Sequence, residues 1–196
     1  MSAPERSGER DAAVMAMVPL VPVLGWTVEA LVTGAGQDAD LLFPGGPADM
    51  VEAWTDLADR QMEADAAALD MGGMGLTARV RTVIVLRLER QDPYKVAVRQ
   101  GLAVLMARGR GVLGARMLGR TVDSIWHGAG DSSTDFSWYT KRAILAGVYG
   151  AVLLFWLQDT SAGNVETLAF LDRRLAGLGR IGKAKARMAG VLRRRG

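Results

Sequence analysis

Fifteen consecutive residues, Ala143 to Leu157, read Ala-Ile-Leu-Ala-Gly-Val-Tyr-Gly-Ala-Val-Leu-Leu-Phe-Trp-Leu and carry neither charge nor proline. A helix that is apolar all round must lie inside a protein or against lipid. At about 1.5 Å per residue the run reaches roughly 22 Å, short of the approximately 30 Å of a bilayer's hydrocarbon. A buried central helix is therefore expected, and the rest of the chain must be built around it. Taken alone, Ile144, Leu145, Val148, Val152, Leu153, Phe155 and Trp156 read first as plain core. Two features argue for more. Gly147 and Gly150 each cost about 1 kcal/mol in a helix relative to alanine, and small residues facing the interior leave room for a guest. Met15, Met17, Met50, Met62, Met71, Met74, Met106 and Met117 offer flexible, polarizable side chains that suit an irregular apolar cavity.

Elsewhere apolar residues recur at three and four, with no sustained alternation, so the class is all-α. Helices are expected near Arg10–Leu24, Thr27–Gly34, Ala48–Leu69, Leu76–Gln91, Tyr94–Arg108, Gly111–His127, Thr134–Gln158 and from Val165 onward. Breaks are marked by Phe43-Pro44-Gly45-Gly46-Pro47, Met71-Gly72-Gly73-Met74-Gly75, Asp92-Pro93, Arg108-Gly109-Arg110-Gly111 and Ser161-Ala162-Gly163-Asn164. With 196 residues, 49% of them hydrophobic, the chain can bury one sizeable core. Residues 1–9 read as a flexible start, 10–47 as a head, 48–172 as a helical core and 173–196 as a basic tail.

The chain has no cysteine and one histidine, His127, which excludes thiolate chemistry and leaves nothing for a His-based triad or metal site. No catalytic residue, metal or cofactor is expected. Asp131 and Asp135 lie four apart, yet capping and turn formation explain them more simply than acid-base work. Arg142 could pair with Asp131, Asp135 or Asp159. Glu5, Glu9 and Asp11 precede a proline-broken apolar stretch, which fits neither a secretory signal nor an Arg-rich transit peptide and points to a cytoplasmic bacterial chain or a processed form.

Nine unopposed cations, from Arg173 to Arg195, follow Asp172, and the remaining 15 Lys and Arg face all 21 acids, so the net charge of +3 belongs to the tail.

The stretch Trp126-His127-Gly128 through Asp131, Trp138-Tyr139, Arg142, Tyr149 and Leu157-Gln158-Asp159-Thr160-Ser161 closely resembles one family over Trp126 to Leu175. That family is the ubiquinone-biosynthesis accessory proteins, the ninth coenzyme Q biosynthesis protein of mitochondria and its alphaproteobacterial relatives. A fainter similarity covers Val18-Pro19 and Gly25-Trp26-Thr27-Val28-Glu29-Ala30-Leu31, while Asp49 to Arg120 matches in pattern alone. The resemblance implies a TetR/FadR-like helical bundle with a degenerate helix-turn-helix head and a C-terminal amphipathic helix. It also implies a homodimer on the inner membrane's cytoplasmic face that binds isoprenoid quinone precursors or phospholipid. A lipid-sized tunnel is expected between the apolar helix and Ala97 to Leu118, with Met106, Met117, Leu118, Leu145, Val148, Tyr149, Val152 and Phe155 as its lipid-binding residues.

In that family the residues matching Ile125, Trp138 and Tyr139 form an exposed patch that docks the di-iron hydroxylase of the pathway, and Arg142 joins them here. Without the resemblance, Trp138 and Tyr139 read as local packing. The tail carries Leu175, Leu178, Ile181 and Met188 on one face and Arg180, Lys183 and Arg187 opposite. On residues alone it is as well a solubilising or nucleic-acid-binding tail, and the resemblance favours an anionic membrane surface. The recognition-helix position, Gln37-Asp38-Ala39-Asp40-Leu41-Leu42, is short and acidic where phosphate contact needs Lys or Arg, so DNA is not the expected partner. The main reading is a non-catalytic lipid-binding accessory protein. The alternatives are a ligand-responsive TetR-type regulator and a lipid-modifying enzyme.

Overall fold

Proline decides how the chain begins. Ser7 caps α1 (Gly8–Met17) by accepting the Arg10 amide at 3.1 Å. The single helix expected to Leu24 is then broken, because Pro19 and Pro22 cannot donate: a 3-10 turn at Val18–Leu20 leads into α2 (Val21–Leu24), which ends at Gly25 with φ +72°. The computed structural model describes residues 4–107, 109–131 and 137–177, with the side chains of Ser137 and Trp138 outside that description. Thr27 caps α3 (Val28–Ala35), and a 3-10 turn, Gln37–Leu42, follows. Then come α4 (Pro47–Ala67), α5 (Leu76–Gln91), α6 (Lys95–Met106), α7 (Gly111–Gly128), α8 (Ser137–Trp156) and a ninth helix, α9, over 165–177. No strand occurs among the described residues, and none of their helices is long and apolar enough to cross a membrane.

α4 is the axis of the bundle, touching α1, α5, α6 and α7. Its two ends serve two apolar clusters. In the first, Val14, Met17, Val21 and Leu31 of the head meet Met50 and Trp54 of α4 with Ala97, Leu105 and Met117. The boundary at residue 47 thus separates elements that share one core. Trp26 pins the head further by donating its indole N–H to the Ala97 carbonyl at 2.9 Å. At the crossing of α1 and α3, a Cβ on Gly34 would stand 2.7 Å from the Ala16 carbonyl oxygen, so only glycine permits the approach. In the second cluster Met62, Val83, Ile84, Ile125, Leu145, Val152, Trp156 and Leu171 pack together.

Two expectations about apolar faces change. α8 is buried on the stripe Leu145, Val148, Tyr149, Val152 and Trp156, but Ile144, Gly147 and Leu154 are exposed. An all-apolar sequence is here a helix with one packed side and one bare side. Leu175, assigned to the membrane-binding tail, sits in the second cluster, because it follows Leu171 by one helical turn and shares its inward face. Leu178, Arg180, Ile181, Lys183, Arg187 and Met188 lie outside the described residues.

Candidate functional site

A cavity of about 380 Å³ lies between α8 and the α6–α7 pair, closed behind by α4 and α5. Its walls come from the apolar faces of these helices: Leu102 and Leu105 of α6, Gly114, Met117 and Leu118 of α7, and Gly150 and Leu153 of α8. Burial orders the lining from mouth to floor. Met106 and Leu154, 86% and 58% exposed, stand at the rim with Gly111 and Ala115, whereas Trp156, Tyr149, Thr121, Arg87 and Gln91 are buried. The shape is the one expected for a ligand with an apolar body and a few fixed polar contacts. Gly150 is decisive for the space, since a Cβ placed there would meet nothing within 4 Å.

The polar floor exists because polar residues occupy inward positions of otherwise apolar stripes. On α5 the inward series Val80, Val83, Ile84 ends in Arg87 and Gln91; on α4, Asp59 lies between Ala58 and Met62; on α7, Thr121 lies between Met117 and Ile125. Arg87 forms an ion pair with Asp59 at 2.7 Å and donates its Nε–H to the Tyr149 hydroxyl at 2.8 Å. The ion pair is at contact distance without an aligned N–H, so Asp59 takes its directed hydrogen bond from the Thr121 hydroxyl at 3.0 Å. Burial pushes the Asp59 carboxyl up to about 6, against the pull of Arg87 and Thr121. Burial likewise raises the Tyr149 phenol, with Arg87 opposing. Burial disfavours the Arg87 charge, yet Asp59 and Tyr149 outweigh it and the guanidinium stays protonated. Of the buried donors on the lining residues, Gln91 Nε2 and Trp156 Nε1 have no hydrogen-bond partner, and Arg87 Nη1 has only its ion pair with Asp59.

Of the residues expected to bind lipid, Met106, Met117, Leu118 and Tyr149 line the cavity. Leu145, Val148 and Val152 do not: they pack in the second cluster, on the same buried stripe of α8 as Tyr149 and Trp156 but outside the cavity lining. Phe155 is also elsewhere, its ring stacked on Phe170 with centroids 4.6 Å apart. Gly147 is exposed and does not line this cavity, and of the described methionines only Met106 and Met117 reach it, Met17, Met50 and Met62 being ordinary core.

The family model named COQ9 matches residues 112–182, which include α8, α9 and all but the first residue of α7, and therefore two walls of the cavity. The mitochondrial ubiquinone biosynthesis protein COQ9 of Xenopus tropicalis is 31% identical over 174 residues, covering 82% of this chain and 55% of that protein. The human protein of the same name is 30% identical over 172 residues, covering 82% and 54% respectively. The chain belongs to the COQ9 family. It spans about half the length of these relatives. The crystal structure of a TetR transcriptional regulator from Nitrosomonas europaea superimposes with a TM-score of 0.70 at 20% identity, covering 87% of this chain and 97% of that one. At that identity the likeness concerns the fold alone, a TetR-like helical bundle.

Placed in this COQ9-family chain, the expected docking patch is only partly a surface. Tyr139 is 74% exposed at the start of α8, but Ile125 is fully buried in the second cluster. Ile125 lies one turn beyond Thr121 on the inward stripe of α7, so it cannot contribute to an exposed patch. The Trp138 side chain lies outside the described residues, as does Asp135. Arg142 pairs with Asp123 of α7 at 2.5 Å, while Asp131 pairs with Lys141 at 3.5 Å. Asp159 instead accepts from Ser161 and Thr167, through both backbone N–H and hydroxyl, at 2.6 to 2.8 Å, and so fastens α8 to the start of α9. Burial raises its pKa, yet those four donors hold it well below the usual carboxylate range. No sequence spacing distinguished this clasp from a salt bridge.

In the head, Asp38, Asp40 and Leu41 are exposed on the Gln37–Leu42 turn, which presents carboxylates where a recognition helix would present cations. His127 is exposed on the last turn of α7. Among the described residues no group of carboxylates and histidine is placed to hold a metal ion.

Proposed function

We propose that the chain is a non-catalytic lipid-binding accessory protein of ubiquinone biosynthesis that holds an isoprenoid quinone precursor or a phospholipid and presents it to a membrane-associated di-iron hydroxylase. The observation that carries this reading is the apolar cavity between α6, α7 and α8, open past Met106 and Leu154 and kept free of side chain at Gly150. The pathway comes from the relatives' names. A non-catalytic role is supported by the lining, which includes no cysteine, histidine or serine and whose charged group, Arg87, is neutralised by Asp59.

Exposed Tyr139 supports docking of the hydroxylase near the start of α8. The bare apolar side of α8, with Ile144, Gly147 and Leu154, supports association with a second copy, and the cationic sequence from Arg173 onward supports attachment to anionic membrane. Purified protein incubated with vesicles containing a prenylated benzoquinone, then freed of them by sedimentation, should retain quinone in the supernatant. Quinone found only with the vesicles would defeat the carrier reading. A second reading, a TetR-type regulator, is favoured by the fold but opposed by Asp38 and Asp40 on the head.

A further inference from the structure

The floor of the cavity has a specific chemistry. Every buried side-chain atom of its lining that lacks a hydrogen-bond partner is an N–H donor. Gln91 and Trp156, 7% and 0% exposed, line the cavity and leave Gln91 Nε2 and Trp156 Nε1 without a hydrogen-bond partner. Tyr149 accepts from Arg87 through its oxygen, which leaves its own O–H free to donate. Arg87 contributes no spare charge, because Asp59 lies against it at 2.7 Å. Nor does Lys95, whose Nζ stands over the Trp156 ring 5.1 Å from its centre: it donates to the Asp159 carbonyl and the Asn164 amide oxygen. Buried donors left unpaired carry a penalty that an acceptor from a ligand would remove. The rim, by contrast, is apolar.

We infer that the cavity takes its amphiphile head-first, seating an uncharged head rich in acceptor oxygens against Gln91, Trp156 and Tyr149, with the tail leaving past Met106 and Leu154. This rests on the lipid-binding reading and adds both an orientation and a selection. A quinone carbonyl, a ring methoxy group or an ester carbonyl satisfies the donors. A carboxylate or phosphate brings a charge into a buried site whose one guanidinium is already neutralised, and its desolvation is not recovered.

The test is calorimetric titration of the intact protein with probes sharing a ten-carbon tail: decylbenzoquinone, glyceryl monodecanoate, decylbenzene, decanoate and decyl phosphate. The two neutral acceptor-bearing probes should bind at least tenfold more tightly than the two anions, and the ranking of quinone against ester tells whether a ring or an ester is the better fit. Gln91→Leu and Trp156→Phe should each weaken the quinone several-fold and leave decylbenzene unchanged; two variants guard against one failing to fold. Equal affinities for all heads, tighter binding of an anion, or variants that weaken decylbenzene as much as the quinone would overturn the inference while leaving a lipid site in place. No binding by any probe, decylbenzene included, would overturn the lipid-binding reading and the inference together.

Discussion

Gly150 and Gly147 stand one turn apart on α8 and differ in one respect: the first lines the cavity and the second faces outward. A Cβ at either meets nothing within 4 Å, so neither substitution begins with a collision. Replacing a mid-helix glycine by leucine gains up to about 1 kcal/mol of helix propensity. For a domain of this length that corresponds to a rise of roughly 2–4 °C in Tm. At Gly150 the four added carbons also enter the cavity. At roughly 30 Å³ per heavy atom they occupy on the order of 100 Å³, a substantial part of the 380 Å³ available. Gly150→Leu should therefore be at least as stable as the parent by differential scanning calorimetry while losing most of its bound lipid by extraction and mass spectrometry. Gly147→Leu should match the stability and keep the lipid. A Gly150→Leu protein that is equally stable and retains the parent's lipid would refute the placement of the guest; one that unfolds would refute the open space.

Lowering the pH from 7 to 5 should stabilise the fold by about 1 kcal/mol through Asp59: its folded pKa of about 6 lies above the 3.8 of an ordinary aspartate, so its contribution is present at low pH and fades as pH rises through 6. Urea midpoints across that range should show the slope and lose it in Asp59→Asn. Arg87→Met leaves a buried carboxylate unpaired and should cost about 3–5 kcal/mol at pH 7, less at pH 5; an unchanged urea midpoint would contradict the burial of the pair. Asp159 has the opposite sign, its depressed pKa giving stability that is lost as pH falls below the carboxylate range, and Asp159→Asn should cost about 2–3 kcal/mol by denaturant titration at neutral pH. Gly34→Ala drives a methyl to 2.7 Å from the Ala16 backbone oxygen and should cost about 1–3 kcal/mol, with a wild-type melting curve as the refuting result. A mobility-shift assay should find no DNA complex, and a salt-sensitive one would revive the regulator reading.

Much of the bundle was legible because glycine and proline punctuate it: α5 runs over the expected Leu76–Gln91, and α3, α4, α6 and α7 end within two residues of expectation. Pro19 and Pro22 were equally visible, yet periodicity alone carried the first helix through them. The cavity's neighbourhood could be read from Gly150 and the 97–118 segment, but its lining on α8 could not. Where every position is apolar, sequence does not say which face is turned to a hole and which to a core, and Leu145, Val148 and Val152 were indistinguishable from Leu153 and Leu154. The floor did leave a signal. Arg87, Gln91, Asp59 and Thr121 continue apolar stripes at helical spacing, and a polar residue at such a position must be paired or hold a ligand. Ile125 was misplaced for the complementary reason: family likeness suggested a surface, while its own stripe, shared with Met117 and Thr121, points inward.

Native mass spectrometry of the freshly purified chain would reveal an occupied cavity. The protein ion should be heavier than its sequence by one amphiphile, which organic extraction releases and Gly150→Leu lacks. A bare polypeptide mass, unchanged after incubation with decylbenzoquinone, would contradict that occupancy.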